Sequence, residues 1–83
     1  MSYSLDWHPN VRKFLQKLPK EIAERIVLKA RDLKEEPFRY LEHYEGDYYK
    51  LRIGDYRALI DVDPYKKIVL IRYLDHRKKI YKQ

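Results

Sequence analysis

A run of basic residues in the middle of the chain carries the side chains with the clearest chemical potential. Residues 48–57, Tyr-Tyr-Lys-Leu-Arg-Ile-Gly-Asp-Tyr-Arg, place alternating side chains on either side of a Gly-Asp pair. This pattern predicts a β-hairpin whose two-residue turn begins with Gly54. Lys50 and Arg52 then share one face, and the turn sets Arg57 directly opposite Arg52. Like charges in that position destabilise a sheet by up to about 1 kcal/mol, so the pattern favours a face that receives an anion.

More cations and aromatic rings follow the hairpin. If Pro64 and Tyr65 are the two central residues of the next turn, Arg72 lies opposite Arg57 and extends the row of arginines. The end of the chain adds an imidazole, three cations and an aromatic ring, at His76, Arg77, Lys78, Lys79 and Tyr81. Cations combined with exposed rings suit RNA, because charge holds the phosphates and a ring stacks on an unpaired base. The residues predicted to bind RNA are Tyr48, Arg72, Lys78 and Lys79.

Each of these residues also has a simpler interpretation. A single arginine on a strand is more often solvated than ligand-binding, and His76 alone is an ordinary surface histidine. Tyr81 alone would more often pack than stack. Clustering, together with the cost of the Arg52–Arg57 pair, is what favours a binding face over an ordinary basic surface.

Composition limits the class of protein and of partner. The chain has 83 residues, which predicts a single domain over residues 1–83. Its formal net charge of +6 indicates a polyanionic partner, which could be nucleic acid, an acidic protein segment or a membrane surface. Cysteine is absent and the three histidines share no ligand spacing, so we expect no metal and no cofactor. No membrane span or signal peptide is recognisable, so we expect a cytoplasmic protein.

The order of elements indicates an α+β fold. Alternation at Tyr3, Leu5 and Trp7 predicts a first strand, and apolar residues at helical spacing predict two helices between residues 11 and 33. Residues 37–46 show no period and are predicted to form a loop. Three strands are expected at 47–53, 56–62 and 67–74. The predicted fold is β-α-α-β-β-β with a short C-terminal segment, an antiparallel sheet and a two-helix hairpin packed on one face.

Three segments together resemble the RelE/ParE toxin superfamily. They are Val-Arg-Lys-Phe-Leu-Gln-Lys-Leu-Pro at 11–19, Tyr-Lys-Leu-Arg-Ile-Gly-Asp-Tyr-Arg at 49–57, and His-Arg-Lys-Lys-Ile-Tyr at 76–81. The likeness covers essentially the whole chain and is stronger to the RelE branch, of an archaeal or thermophile type.

This resemblance implies the toxin of a type II toxin–antitoxin pair. RelE-like toxins enter the ribosomal A site and cleave mRNA without a metal, by attack of a ribose 2′-hydroxyl on the adjacent phosphate. An acidic, RelB-like antitoxin is the implied partner, beside the ribosome and mRNA. The residues implied to be catalytic are Lys50, Arg52, Arg57, His76, Arg77 and Tyr81.

Two departures from the family pattern leave the proton-transfer roles open. The position of Arg52 is often lysine, and a guanidinium does not lose its proton near neutral pH, so Arg52 is a poor general base. The spacing at the C-terminus leaves either His76 or Arg77 as the general acid. Two other functions also stay open: a ParE-like inhibitor of a DNA topoisomerase, and an RNA-binding module without catalysis.

Overall fold

The computed structural model describes residues 2–76 as one five-stranded sheet with helices packed on it. The N-terminal part consists of β1 (Ser4–Trp7), α1 (Pro9–Gln16), α2 (Lys20–Arg31), a 3₁₀ turn (Asp32–Lys34) and the short helix α3 (Pro37–Tyr40). The remaining strands are β2 (Glu42–Glu45), β3 (Tyr48–Ile53), β4 (Tyr56–Asp63) and β5 (Ile68–His76). The predicted α+β class and the predicted order of the first strand and two helices are confirmed.

The sheet is mixed, so the predicted antiparallel sheet is wrong at one edge. The strand order is β1-β5-β4-β3-β2, and β1 runs parallel to β5, with Ser4 beside Ile68 and Trp7 beside Ile71. The other neighbours are antiparallel. A long connection through both helices separates β1 from the β2–β5 meander. Such a crossover lets the last strand lie beside the first in the same direction.

The segment 37–46, predicted to be a loop, forms helix α3 and strand β2. Strand β2 carries Glu-His-Tyr-Glu, which lacks the apolar alternation of a half-buried strand. The strand forms by pairing with β3, with Glu42 opposite Lys50 and an irregularity between His43 and Glu45. The ring of Tyr49 also packs edge-on against Phe38 and His43, at centroid distances of 5.3 and 5.7 Å. Tertiary contacts therefore decide the structure of this segment.

Local signals in the sequence position helix α1. The His8 Nδ1 accepts a hydrogen bond from the Asn10 backbone N–H at 3.1 Å, and Pro9 occupies the first turn, where its missing N–H costs nothing. None of the helices within residues 2–76 is long and apolar enough to cross a bilayer.

The core lies between the helices and the sheet face opposite Lys50, Arg52 and Arg57. Leu51, Ile53, Ala58 and Ile60 of that face are buried. Helix α2 contributes Ile26 and Ala30, and the 3₁₀ turn contributes Leu33. The largest fully buried side chains are Ile26, Leu33, Ile60, Val69 and Ile71. Because these residues fix one face of the β3–β4 hairpin against the helices, the other face is held rigidly outward.

The register of β4 with β5 differs from the prediction. Asp63 pairs with Ile68, so the loop between the strands holds four residues, and Asp63 Oδ1 accepts the backbone N–H groups of Tyr65 and Lys66 at 3.0 Å each. A second shift lies at Leu59 and Ile60 of β4, which pair with Tyr73 and Ile71, so Arg72 is the extra residue of a bulge. The bulge brings Leu74 into the core on the same face as Val69 and Ile71, which strict alternation would not do.

Candidate functional site

The β3–β4 hairpin holds its basic residues in the predicted register. Ile53 pairs with Tyr56 and Arg52 with Arg57, so Gly54 and Asp55 form the two-residue turn. Gly54 has φ of +58°, the conformation that a turn with glycine first requires. The two arginines therefore lie side by side on the sheet face opposite Leu51 and Ala58.

The three hairpin cations differ in exposure. Arg52 is exposed, the Lys50 side chain is about one-fifth exposed, and Arg57 is 6% exposed. Lys50 lies between a carboxylate and a ring: its Nζ is 3.8 Å from Glu42 Oε2 and 5.7 Å from the centre of the Tyr44 ring. A buried guanidinium beside an exposed one gives the face one fixed and one adjustable cation.

Lys50, Arg52 and Arg57 form a basic cluster, and a carboxylate lies next to it on the far side of Arg57. In the register of β4 with β5, Arg57 pairs with Asp75, so the order across the sheet is Arg52, Arg57, Asp75. The Tyr73 hydroxyl donates to Asp75 Oδ2 at 3.0 Å, and the His76 backbone N–H donates to Asp75 Oδ1 at 2.7 Å. These two hydrogen bonds hold both Asp75 oxygens beside the arginine pair. The sequence does not predict that Asp75 and Tyr73 lie at this site, because their placement depends on the bulge.

The prediction that Arg72 extends the arginine row is wrong. Arg72 lies toward the other end of the face, where its guanidinium pairs with Asp61 and stands 5.4 Å from the centre of the Tyr48 ring. Asp61 is four positions along β4 from Arg57, which corresponds to about 13 Å along a strand. Tyr48, also predicted to bind RNA, is therefore a neighbour of Arg72 and not of the arginine pair.

His76 lies on the opposite side of the sheet from the basic cluster. It pairs with Tyr56, and the two rings are in edge-on contact at 5.5 Å. Tyr56 in turn contacts Phe14 of helix α1 at 6.2 Å, so this is the helix side. The remaining predicted site residues, at Arg77, Lys78, Lys79 and Tyr81, lie outside the described residues.

A small hollow beside the outer edge of β3 joins the basic cluster to helix α2. Pairing of β2 with β3 starts at Glu42 and Lys50, so residues 51–53 have no β2 partner at that edge. The hollow measures about 140 Å³. It is lined by four cations, two carboxylates and two other side chains: Lys29, Lys50, Arg52, Arg57, Asp32, Glu42, Tyr40 and Leu51. Lys29, on the charged side of helix α2, gave no sequence signal that separated it from other solvated lysines.

The chemistry available to the cluster is electrostatic. Within residues 2–76, no group of three His, Asp or Glu side chains is placed to hold a metal ion. Arg52 and Arg57 together offer guanidinium donors that match the geometry of a phosphate, and Arg57 is desolvated enough for its charge to be weakly screened. The face is suited to bind a phosphodiester and to stabilise extra negative charge on it.

Comparison with known proteins agrees with this fold. The family model described as the ParE toxin of the type II toxin–antitoxin system parDE matches residues 5–81. The curated toxin RelG of Mycobacterium tuberculosis is 33% identical over the full length of both chains.

Two solved structures show the same architecture. The RelBE2 toxin–antitoxin complex of M. tuberculosis contains a chain with a TM-score of 0.84 and 31% identity, which covers 93% of this chain and 100% of that one. The archaeal RelE–RelB complex of Pyrococcus horikoshii contains a chain with a TM-score of 0.78 and 32% identity, over 93% and 97% of the two chains. The chain is therefore a RelE-like member of the RelE/ParE superfamily, whose members are toxins of type II toxin–antitoxin systems.

Proposed function

We propose that this toxin is a ribosome-dependent endoribonuclease that cleaves mRNA in the A site and so blocks translation in the cytoplasm. The observation that carries the proposal is the paired placement of Arg52 and Arg57 on the outward face, in a chain whose relatives are RelE-type toxins. A pair of like charges fixed side by side is costly in the free protein and is relieved by an anion between them.

The proposed reaction is a transesterification within the RNA chain. The ribose 2′-oxygen attacks the adjacent phosphorus while its proton passes to solvent water or to a group of the ribosome, and the phosphorane that forms carries two negative charges. The bond to the 5′-oxygen then breaks, that oxygen takes a proton, and a 2′,3′-cyclic phosphate remains. Arg57, which is buried and pairs with Asp75 in the strand register, stabilises the phosphorane, and Arg52 and Lys50 contribute further charge.

Proton transfer involves residues other than those that stabilise the phosphorane. Arg52 cannot act as the base, because a guanidinium keeps its proton. His76 lies on the helix side of the sheet, away from Arg52 and Arg57. From the resemblance to RelE-like toxins, we propose that Arg77 neutralises the leaving 5′-oxygen and that Tyr81 orients a base. Alignment of the 2′-hydroxyl by the ribosome would supply the rest of the acceleration, since orientation alone is worth many orders of magnitude.

A negatively charged partner would inhibit the toxin by covering this face. Two of the related toxins are crystallised with a RelB antitoxin. We propose that the cognate antitoxin of this chain is acidic and covers the basic cluster. Association would then be steered by charge, with an on-rate that falls as ionic strength rises.

The test is cleavage of ribosome-bound mRNA compared with naked mRNA. We expect efficient cutting only on the ribosome, and none where the nucleotide at the cleavage point carries 2′-deoxyribose, because the attacking oxygen is then missing. Equal cutting of naked RNA would remove the ribosome dependence, and cutting of the 2′-deoxy substrate would exclude this chemistry.

The match to the ParE family model favours a second candidate function, inhibition of a DNA topoisomerase. An inhibitor that acts by binding protein has no need of Lys50, Arg52 and Arg57 on one face. A supercoiling assay with purified gyrase separates the two candidates: we expect no inhibition at toxin concentrations that stop translation.

A further inference from the structure

We propose that the hollow beside β3 binds a second phosphate of the mRNA, next to the one that is cleaved, and that Lys29 of helix α2 is the cation that recognises it. The inference rests on the proposed function, because it names how the same site holds its substrate. Lys29 is then a binding residue outside the strand-borne basic cluster.

The small size of the hollow suits a phosphate better than a base. Its volume is about 140 Å³. Pockets that enclose larger organic ligands start at about 300 Å³. A nucleotide can therefore place only a small group here, with its sugar and base remaining outside.

The charge of the lining also fits a phosphate. Four cations oppose two carboxylates among the lining residues, which leaves an excess of two positive charges. Glu42 is already beside Lys50, at 3.8 Å. Among residues 2–76, neither Lys29 nor Arg52 forms an ion pair within 4.0 Å, so both remain available to a ligand.

The position of the hollow follows the direction of an RNA strand across the site. Arg57 lies on β4, Arg52 on the neighbouring β3, and Lys29 beyond the edge of β3. Neighbouring strands are about 4.8 Å apart, so a chain that leaves the arginine pair toward helix α2 arrives at the hollow after a short step. Lys50, Arg52 and Arg57 also line the hollow, so the two phosphates would share these cations and Lys29 would be the one that only the second phosphate contacts.

Binding of small nucleotides to the free toxin tests the inference without any cleavage. We would titrate adenosine 3′,5′-bisphosphate, adenosine 5′-monophosphate and adenosine 3′-monophosphate by calorimetry. We expect the bisphosphate to bind about tenfold more tightly than either monophosphate, since a second charge-assisted contact is added. Lys29→Gln should abolish this preference, and Lys29→Arg should keep it.

Lys20→Gln is the matched control, because Lys20 lies on the same helix but lines a different hollow, next to Leu15 and Arg31. It removes the same charge and should leave the preference unchanged. Equal loss in Lys20→Gln, or an intact preference in Lys29→Gln, would overturn the inference. Both lysines are exposed, so both variants should keep the wild-type unfolding temperature.

Kinetics on the ribosome separate this inference from the proposed function. Lys29→Gln should raise the KM for mRNA several-fold and leave kcat near the wild-type value. Affinity for ribosomes without mRNA should be unchanged, and a parallel loss there would overturn the inference by assigning Lys29 to ribosomal RNA. Wild-type toxin that cleaves mRNA but shows no bisphosphate preference would overturn the second phosphate site alone. Absence of cleavage would overturn the proposed function, while the titration decides the phosphate site independently.

Discussion

The two ends of the outward sheet face carry opposite charge. At the hairpin end, the hollow beside β3 is lined by four cations and two carboxylates. At the other end, a wider hollow of about 560 Å³ is lined by Asp47, Asp61 and Asp63, with Arg72 as its one arginine or lysine in the described part of the chain. Both ends contain arginine and tyrosine, but only the hairpin end has a net positive charge among its lining residues.

This difference shows why a count of exposed arginines does not locate the site. Arg72 is neutralised by Asp61 and lies close to the Tyr48 ring, so its guanidinium has its partners within the protein. Arg52 instead stands beside a second arginine, and its own strand offers no carboxylate. An anion is attracted to the end where two positive charges lie side by side.

The sharpest test of the comparison is truncation of Arg57, at the hairpin end. Arg57→Ala should slow cleavage of ribosome-bound mRNA by about 100-fold or more, because it removes a fixed donor to the developing charge. Single-turnover rates, with thermal unfolding recorded for the same variant, measure this. A folded Arg57→Ala toxin with wild-type activity would refute the assignment.

Each end of the face has a turn residue with positive φ, Gly54 at the hairpin end and Lys67 near the acidic end. Substitution of these two residues should change the free energy of unfolding by different amounts. Gly54→Ala should lower the free energy of unfolding by about 1–2 kcal/mol, since alanine at φ of +58° is strained. Lys67→Gly, at φ of +57° near the acidic end, should change it by less than about 0.5 kcal/mol. There, relief of strain is offset by loss of the Lys67–Tyr3 cation–π contact at 4.9 Å.

Urea unfolding with fitted m-values measures both substitutions. Equal destabilisation by Gly54→Ala and Lys67→Gly would show that the turn geometry of the hairpin is not special.

The predictable part of the molecule is the part that local pattern controls. The β3–β4 register follows from the Gly54–Asp55 turn and from alternation, so the Arg52–Arg57 pair is confirmed. The positions of Arg72 and Asp75 depend on a four-residue loop and on a bulge, and neither has a local signal strong enough to fix the register.

Pairing with distant segments explains the other differences. Strand β2 is polar and gains its structure from β3, and β1 is parallel to β5 because the helices carry the chain across the sheet. The hollow that includes Lys29 arises where helix α2 meets an unpaired strand edge. Sequence alone places Lys29 only on a charged helix face.

Asp75 provides a smaller test within the hairpin end. Asp75→Asn keeps the shape of the side chain but removes the charge next to Arg57, so the orientation of that guanidinium should loosen. We expect a loss of about tenfold in kcat, equivalent to about 1.4 kcal/mol, with little change in KM. A rise in KM alone would instead indicate that Asp75 acts on substrate binding.

The smallest effects should come from the acidic end. Arg72→Ala should change the cleavage rate by less than about threefold and lower stability by about 0–1 kcal/mol, as expected for loss of an exposed ion pair. The same rate and unfolding measurements apply. A loss as large as that of Arg57→Ala would place RNA at this end and reverse the comparison.

A phosphorothioate at the cleaved linkage tests the central claim most directly, that Arg57 stabilises charge on the scissile phosphate. Sulfur accepts hydrogen bonds more weakly than oxygen, so one diastereomer should react more slowly with wild-type toxin on the ribosome. We predict that this thio effect disappears in Arg57→Ala and persists in Arg72→Ala. An undiminished thio effect in Arg57→Ala would contradict the account.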